Sequence, residues 1–248
     1  MKAMVFAAGL GTRLRPLTND RPKALVEVGG RALLEITLSR LRSFGVREVI
    51  VNVHHYADMV IEYLHARENF GMRIEISRED VLLDTGGGLK KAAWFFLEDA
   101  AGREQPFIVH NVDVISRVDL RRMVNFHAEH DALVTLAVQE RPTSRYLLFD
   151  QQMQLCGRQA GRDGNAELVR NSSLARPLAF AGIHVVSPRL LSRINEEGAF
   201  PIIPVYLRLS GEGEKIQGLL TDAYWRDLGK PEHVAQAAAD LNAGRLSL

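Results

Sequence analysis

The segment FAAGLGTRLRPLTNDRPKAL, Phe6 to Leu25, holds the densest set of residues able to do chemistry. Gly9 and Gly11 remove Cβ atoms where backbone N–H groups can approach an anion, with Thr12 and Arg13 next in line. Residues 11–31 carry Arg13, Arg15, Arg21, Lys23 and Arg31 against Asp20 and Glu27. Such a loop can hold a triphosphate on its amides while Arg13 and Lys23 neutralise it. A dinucleotide fingerprint fails, because the third glycine position is Leu14 and Pro16 blocks early entry into a helix. An ATP loop of the Gly-Lys-Ser/Thr type fails on spacing. The plain alternative is a tight turn after a buried strand. Further along, Asp84-Thr85-Gly86-Gly87-Gly88 opens a helical pattern, with Asp84 or Thr85 able to cap it. Asp113 closes the strand-like PFIVHNVD, at the end of a strand where α/β sheets bind ligands. His54-His55 has no matching Cys/His set for zinc.

The elements that must position these residues alternate. Strands are predicted at 3–8, 48–53, 72–77, 106–113 and 132–140. Helices are predicted at 32–45, 57–67, 87–100 and 119–130, the first ending on Gly45. This is an α/β pattern: a Rossmann-like three-layer sandwich with a mostly parallel central sheet. After Glu140 the pattern turns β-rich, in YLLFD, QLCGR and LAFAGIHVVS, and forms a small elaboration over one end of the sheet. Helices are predicted again at 188–198, at 202–211 and at the end of the chain, after a short strand EKIQGLL. The expectation is one domain over 1–248, with a nucleotide-binding part near 1–140 and a sugar-binding part near 141–248. The 248 residues are 46% hydrophobic and 25% charged with net charge +1, which argues against a general nucleic-acid or membrane-surface binder. A single cysteine, no leader pattern and no apolar run near the ~20 residues of a membrane helix point to the cytoplasm.

The run AAGLGTRLRPLTNDRPKALVEVGGRALLE resembles the signature of the sugar-1-phosphate nucleotidylyltransferases. LLDTGGGLKKA is similar to their Thr-Gly-Gly turn beside the nucleobase, VHNVDV to their metal-binding Asn-Gly-Asp, FAGIHVVSP to a sugar-pocket segment, and AYWRDLGKPEHV to a late Trp-x-Asp-x-Gly element. Five such matches occur in order across most of the chain. The resemblance implies the nucleotide-diphospho-sugar transferase type of fold and the reaction of a nucleoside triphosphate with a sugar-1-phosphate to give a nucleotide sugar and pyrophosphate. It implies nucleotide contacts from Gly9, Gly11, Thr12, Arg13, Lys23, Thr85 and Gly86, and sugar contacts from Asn111 and Gly182. It further implies catalysis by Arg13, Lys23 and Asp113, with Mg²⁺ held by Asp113 and Asp227. The shared TGGG turn and compact ending are similar to the N-acetylmuramate-1-phosphate uridylyltransferases, which makes UTP the expected nucleotide; GTP with mannose-1-phosphate is the competing pair. Residues 139–184 hold six arginines (141, 145, 158, 162, 170, 176) against four acids, either a supply of cations for the muramate carboxylate or a solvated basic surface. Two positions depart from the family: Val112 replaces its Gly, and its sugar-phosphate-binding Glu-Lys-Pro element is missing, leaving Arg158, Arg170 or Arg176 as stand-ins. Two other classes share parts of this pattern: a metal-dependent glycosyltransferase, which wants Asp where Asn111 stands, and a regulatory relative that binds nucleotide without turnover. The expected assembly is a monomer or small homo-oligomer.

Overall fold

A computed structural model describes residues 1–98, 105–172 and 174–246. The strands are β1 (Lys2–Phe6), β2 (Glu27–Val28), β3 (Arg31–Ala32), β4 (Glu48–Val53), β5 (Arg73–Arg78), β6 (Phe107–Asn111), β7 (Val114–Ser116), β8 (Val134–Gln139), β9 (Arg145–Phe149), β10 (Leu155–Ala160), β11 (Ala166–Leu168), β12 (Arg176–Val186), β13 (Ile216–Leu220) and β14 (Trp225–Asp227). The helices are α1 (Leu33–Ser43), α2 (Ala57–His65), α3 (Asp84–Lys91), α4 (Ala93–Leu97), α5 (Leu120–Glu129), α6 (Ile202–Gly211) and α7 (Pro231–Asn242).

The parallel block runs β5-β4-β1-β6. Its strands β1, β4 and β6 are buried on both faces, as continuous hydrophobic runs require, while β5 at the edge is only partly buried. Ala3 and Val5 pack with α1, α2, α5 and α7 on one face. Met4 and Phe6 pack with α3, α4 and α6 on the other. This is the three-layer arrangement expected from the alternation of strands and helices.

The long strand β12 joins this block to the later strands, pairing antiparallel with β6 and β9 along one edge and with β8 along the other. The hairpin β9-β10-β11 extends the sheet as the β-rich elaboration. The register of β12 against β8 shifts between Phe180 and His184. Gly182 sits in that bulge at φ 74°, a left-handed conformation that favours glycine.

Three expectations need correction. The stretch 188–198 is not an α-helix: a 3-10 turn covers Pro188–Arg193, and Ile194 leaves it extended. The predicted helix 87–100 starts earlier, at Asp84, and divides at Ala92; its last two positions lie outside the described residues. The predicted strand 106–113 ends at Asn111, and the chain resumes as β7, which pairs with β14 in a separate two-stranded sheet.

Candidate active site

Phe6, Asn52 and Asn111 lie in register at the C-terminal edge of the parallel block. The chains leaving β1 and β6 there line a cleft of about 480 Å³ with Ala7, Ala8, Gly9, Val112 and Asp113. Leu82, Asp84 and Thr85 line it from the start of α3. This is where an open parallel sheet binds ligands.

The glycine loop is pinned rather than loose. Leu14 is fully buried beneath it. The Thr18 hydroxyl donates to Gly11 O at 2.8 Å, as does Leu14 N. Gly11 has φ 65°, and a Cβ there would meet the Thr18 side chain at 3.0 Å and Lys23 Cβ at 3.2 Å. Lys23 follows Pro22 on a 3-10 turn and is only 9% exposed. Its ammonium donates to the Asp113 carboxylate across the cleft floor. A nearly buried lysine needs such a partner, because an unpaired charge there is costly.

The two aspartates converge through backbone pairing. Asp227 lies opposite Val114 in the β7–β14 ladder, and Leu228 N donates to Asp113 O at 2.8 Å. Gly229 N donates to Asp227 Oδ1 at 2.5 Å. Arg13 lies over the same turn: a Cβ on Gly229 would meet Arg13 Nη2 at 2.9 Å and Asp227 Oδ1 at 2.7 Å. Arg13, Lys23, Asp113 and Asp227 thus gather at one end of the cleft, although Arg13 and Asp227 are far apart in the chain. Among the described residues no group of three His, Cys, Asp or Glu side chains could hold a metal alone. Asp113 and Asp227, brought near each other by that backbone pairing, are of the type that suits a hard ion taking its other oxygens from phosphates and water.

On the opposite wall Thr85 lines the cleft, and its hydroxyl also accepts from Ile202 N at 3.0 Å, capping α6. Asp84, not Thr85, accepts from the neighbouring amide at 2.6 Å, inside the first turn of α3. Gly86 lies behind the cleft wall. The space its side chain would fill is taken by the Phe200 ring, 2.3 Å from a built Cβ, and Gly86 N donates to Phe200 O at 2.8 Å. The absence of a side chain there serves packing.

Gly182 packs on the Asn111 carboxamide, with Nδ2 3.0 Å from its built Cβ, so the expected sugar pair is adjacent. Val112, in place of the family's Gly, is 4% exposed and belongs to the core. Three of the arginines expected at the sugar end are occupied by other partners: Arg158 with Glu167, Arg176 with Glu140 and Arg170 with Gln154. Arg141 is placed differently. Its guanidinium stacks on Trp225 at 3.6 Å and donates to Phe180 O at 2.8 Å, at the bulge that carries Gly182. Burial lowers its pKa, and the charge of Asp227 opposes that effect.

Of the expected residues, Gly9, Lys23, Thr85, Asn111 and Asp113 line the cleft, while Gly11, Thr12, Arg13, Gly86, Gly182 and Asp227 are not among its lining residues. Asn52 and Glu79 line it unexpectedly. The signal for Asn52 was a lone amide in the apolar strand EVIVNV. Nothing local marked Glu79.

Residues 2–152 match the family model described as nucleotidyl transferase. The chain is 37% identical over 247 residues to N-acetylmuramate alpha-1-phosphate uridylyltransferase of Caulobacter vibrioides, covering 96% of each. It is 27% identical to mannose-1-phosphate guanyltransferase of Candida albicans, covering 94% of this chain and 62% of that longer one. HddC from Yersinia pseudotuberculosis, solved with GMP-PN, shares the fold with a TM-score of 0.75 at 21% identity, covering 97% of this chain and 99% of that one. The chain belongs to the nucleotidyl transferase family and is an enzyme of that class.

Proposed function

We propose that this nucleotidyl transferase joins UTP to N-acetylmuramate-1-phosphate, releasing pyrophosphate. The observation that carries the reaction is the meeting of Lys23, Asp113, Asp227 and Arg13 at one end of the cleft. The choice of substrate rests on the likeness to the Caulobacter uridylyltransferase over nearly the whole of both chains.

An oxygen of the sugar phosphate attacks the α-phosphorus in line, and the bond to the bridging oxygen of pyrophosphate breaks. The protein's work is positioning and charge neutralisation. The pinned loop 9–12 offers backbone donors to the triphosphate. Arg13 takes the leaving β- and γ-phosphates. Lys23 is held on Asp113 until phosphate oxygens compete for its ammonium, which can then follow the transferring group. Asp113 and Asp227 would hold Mg²⁺, which when bound draws charge from the phosphate oxygens. Asn111 and Gly182 face the sugar. Arg141 gives that end a guanidinium in no salt bridge among the described residues, suited to the extra acid group of muramate.

The test is pyrophosphate release with UTP or GTP crossed against N-acetylmuramate-1-phosphate or mannose-1-phosphate. UTP with N-acetylmuramate-1-phosphate is expected to give the highest kcat/KM. Preference for GTP with mannose-1-phosphate would overturn the substrate and leave the chemistry standing. Release from no pair would overturn both.

A further inference from the structure

The nucleotide half of the cleft has two walls from distant parts of the chain: the loop leaving β1 at Ala7, and the segment Leu82–Thr85 opening α3. One buried polar chain joins them. Ala7 N has passed the end of β1, and it donates to Asn52 Oδ1 at 2.8 Å. Asn52 Nδ2 donates to Glu79 Oε1 at 2.7 Å. Glu79 Oε2 accepts from Leu83 N at 2.9 Å. Asn52 is 3% exposed and Glu79 2%, and both side chains border the cleft. The backbone of Glu79 is fixed too: its N–H donates to Val53 O at 2.8 Å, and His54 Nδ1 meets its carbonyl at 2.8 Å. Gly88 closes over the pair, since a Cβ there would meet Glu79 Oε1 at 2.8 Å and Asn52 Nδ2 at 2.9 Å.

We infer that Asn52 and Glu79 are positioning residues: a rigid strut that sets the separation of the two nucleotide-binding walls. The inference rests on the reading that this half of the cleft holds the nucleoside triphosphate. Every polar atom in the strut has one role, fixed by donor and acceptor type. Ala7 N and Leu83 N are donors at the ends, so the two side chains between them must present acceptors outward and complement each other in the middle. Leaving one such group unpaired in a buried site is costly. The strut therefore holds Ala7, and with it the glycine loop, at a fixed height against Thr85.

The order of groups is reversible, which supplies the test. Asn52→Asp sets two carboxylates face to face. Glu79→Gln sets an amide donor against either Asn52 Nδ2 or Leu83 N. In the double variant, the new Asp accepts from Ala7 N and from the new Gln, whose oxygen accepts from Leu83 N. All partners are restored and the net charge is unchanged. Each single variant is expected to raise KM for the triphosphate by about tenfold, the scale of one unpaired buried group. KM for the sugar-1-phosphate should change by less than about threefold, and the double variant should return to within about threefold of wild type for both. Binding of a non-hydrolysable triphosphate should follow the same order. Equal changes in both KM values, no change in either single variant, or no recovery in the double variant would each overturn the strut. So would single variants that fail to fold while the double folds, since the pair would then serve folding alone. Wild-type protein that turns over no triphosphate would instead defeat the underlying reading.

Discussion

At the scale of single residues, the cleft is governed by which charges are already paired. Lys23 is nearly buried and its ammonium is held by Asp113, a group that also faces the cleft. Lys23→Ala should leave the fold intact and lower kcat/KM by about 10²-fold, the scale for losing a charge partner in the transition state. Pyrophosphate release by a folded variant at near wild-type rate would remove Lys23 from the mechanism. Asp113→Asn and Asp227→Asn should each raise the Mg²⁺ concentration needed for half-maximal turnover, and EDTA should abolish it. Full activity in EDTA would rule out the shared metal. Lys23 and Asp113 stood out in the sequence by type and position, one in a basic run after a glycine turn and the other closing an apolar strand, whereas Asp227 came only from the family resemblance. Asn52 and Glu79 did not stand out. Their role depends on which atom of one side chain meets which atom of another, and no spacing rule encodes that.

At the scale of elements, two contacts fix the site from behind. Thr85 belongs to the cleft wall and also caps α6 through Ile202 N. Thr85→Val should lower stability by about 1 kcal/mol, and Thr85→Ser should recover most of it, read as urea midpoints. Equal midpoints in all three proteins would refute the cap. Asp240 on α7 accepts from Tyr224 Oη at 2.8 Å and Arg226 Nη2 at 2.7 Å, and also from Gln236 and Arg245. The Tyr224 hydrogen bond first, then those from the other three, holds its carboxyl well below the usual carboxylate range. Arg226 precedes Asp227 in β14, so Asp240→Asn should lower kcat by about tenfold through a misplaced carboxylate while leaving triphosphate affinity intact. A variant with unchanged kcat would show that β14 is held without α7. The parallel block was legible because both-face burial writes itself as continuous apolar runs. β14 was not, because its three residues include Arg and Asp and it forms only against β7. The false helix at 188–198 has a similar origin: apolar spacing suits one helical face, but the chain leaves the turn after Arg193.

At the scale of the molecule, three imidazoles lie in the interior. Burial pushes His110 and His127 down to about 4 and His184 down to about 3. The folded protein keeps them neutral at a pH where an unfolded chain takes up protons near 6.5. Their contribution to stability is complete above pH 6.5 and is lost progressively as pH falls from there to their folded-state values. The loss is on the order of 2 kcal/mol for a single imidazole at pH 5 with a folded value near 4. The urea midpoint should therefore drop between pH 7.5 and pH 5, and His127→Gln should shrink the drop. A midpoint independent of pH over that range would contradict the buried neutral state. The sheet β7–β14 has a different consequence, one concerned with time. Translation delivers Lys23 and Asp113 early and Asp227 late, and Leu228 N closes on Asp113 O only when β14 has been made. On the proposed reading, a growing chain can form the wall built by the glycine loop well before it holds Asp227, so turnover waits for β14.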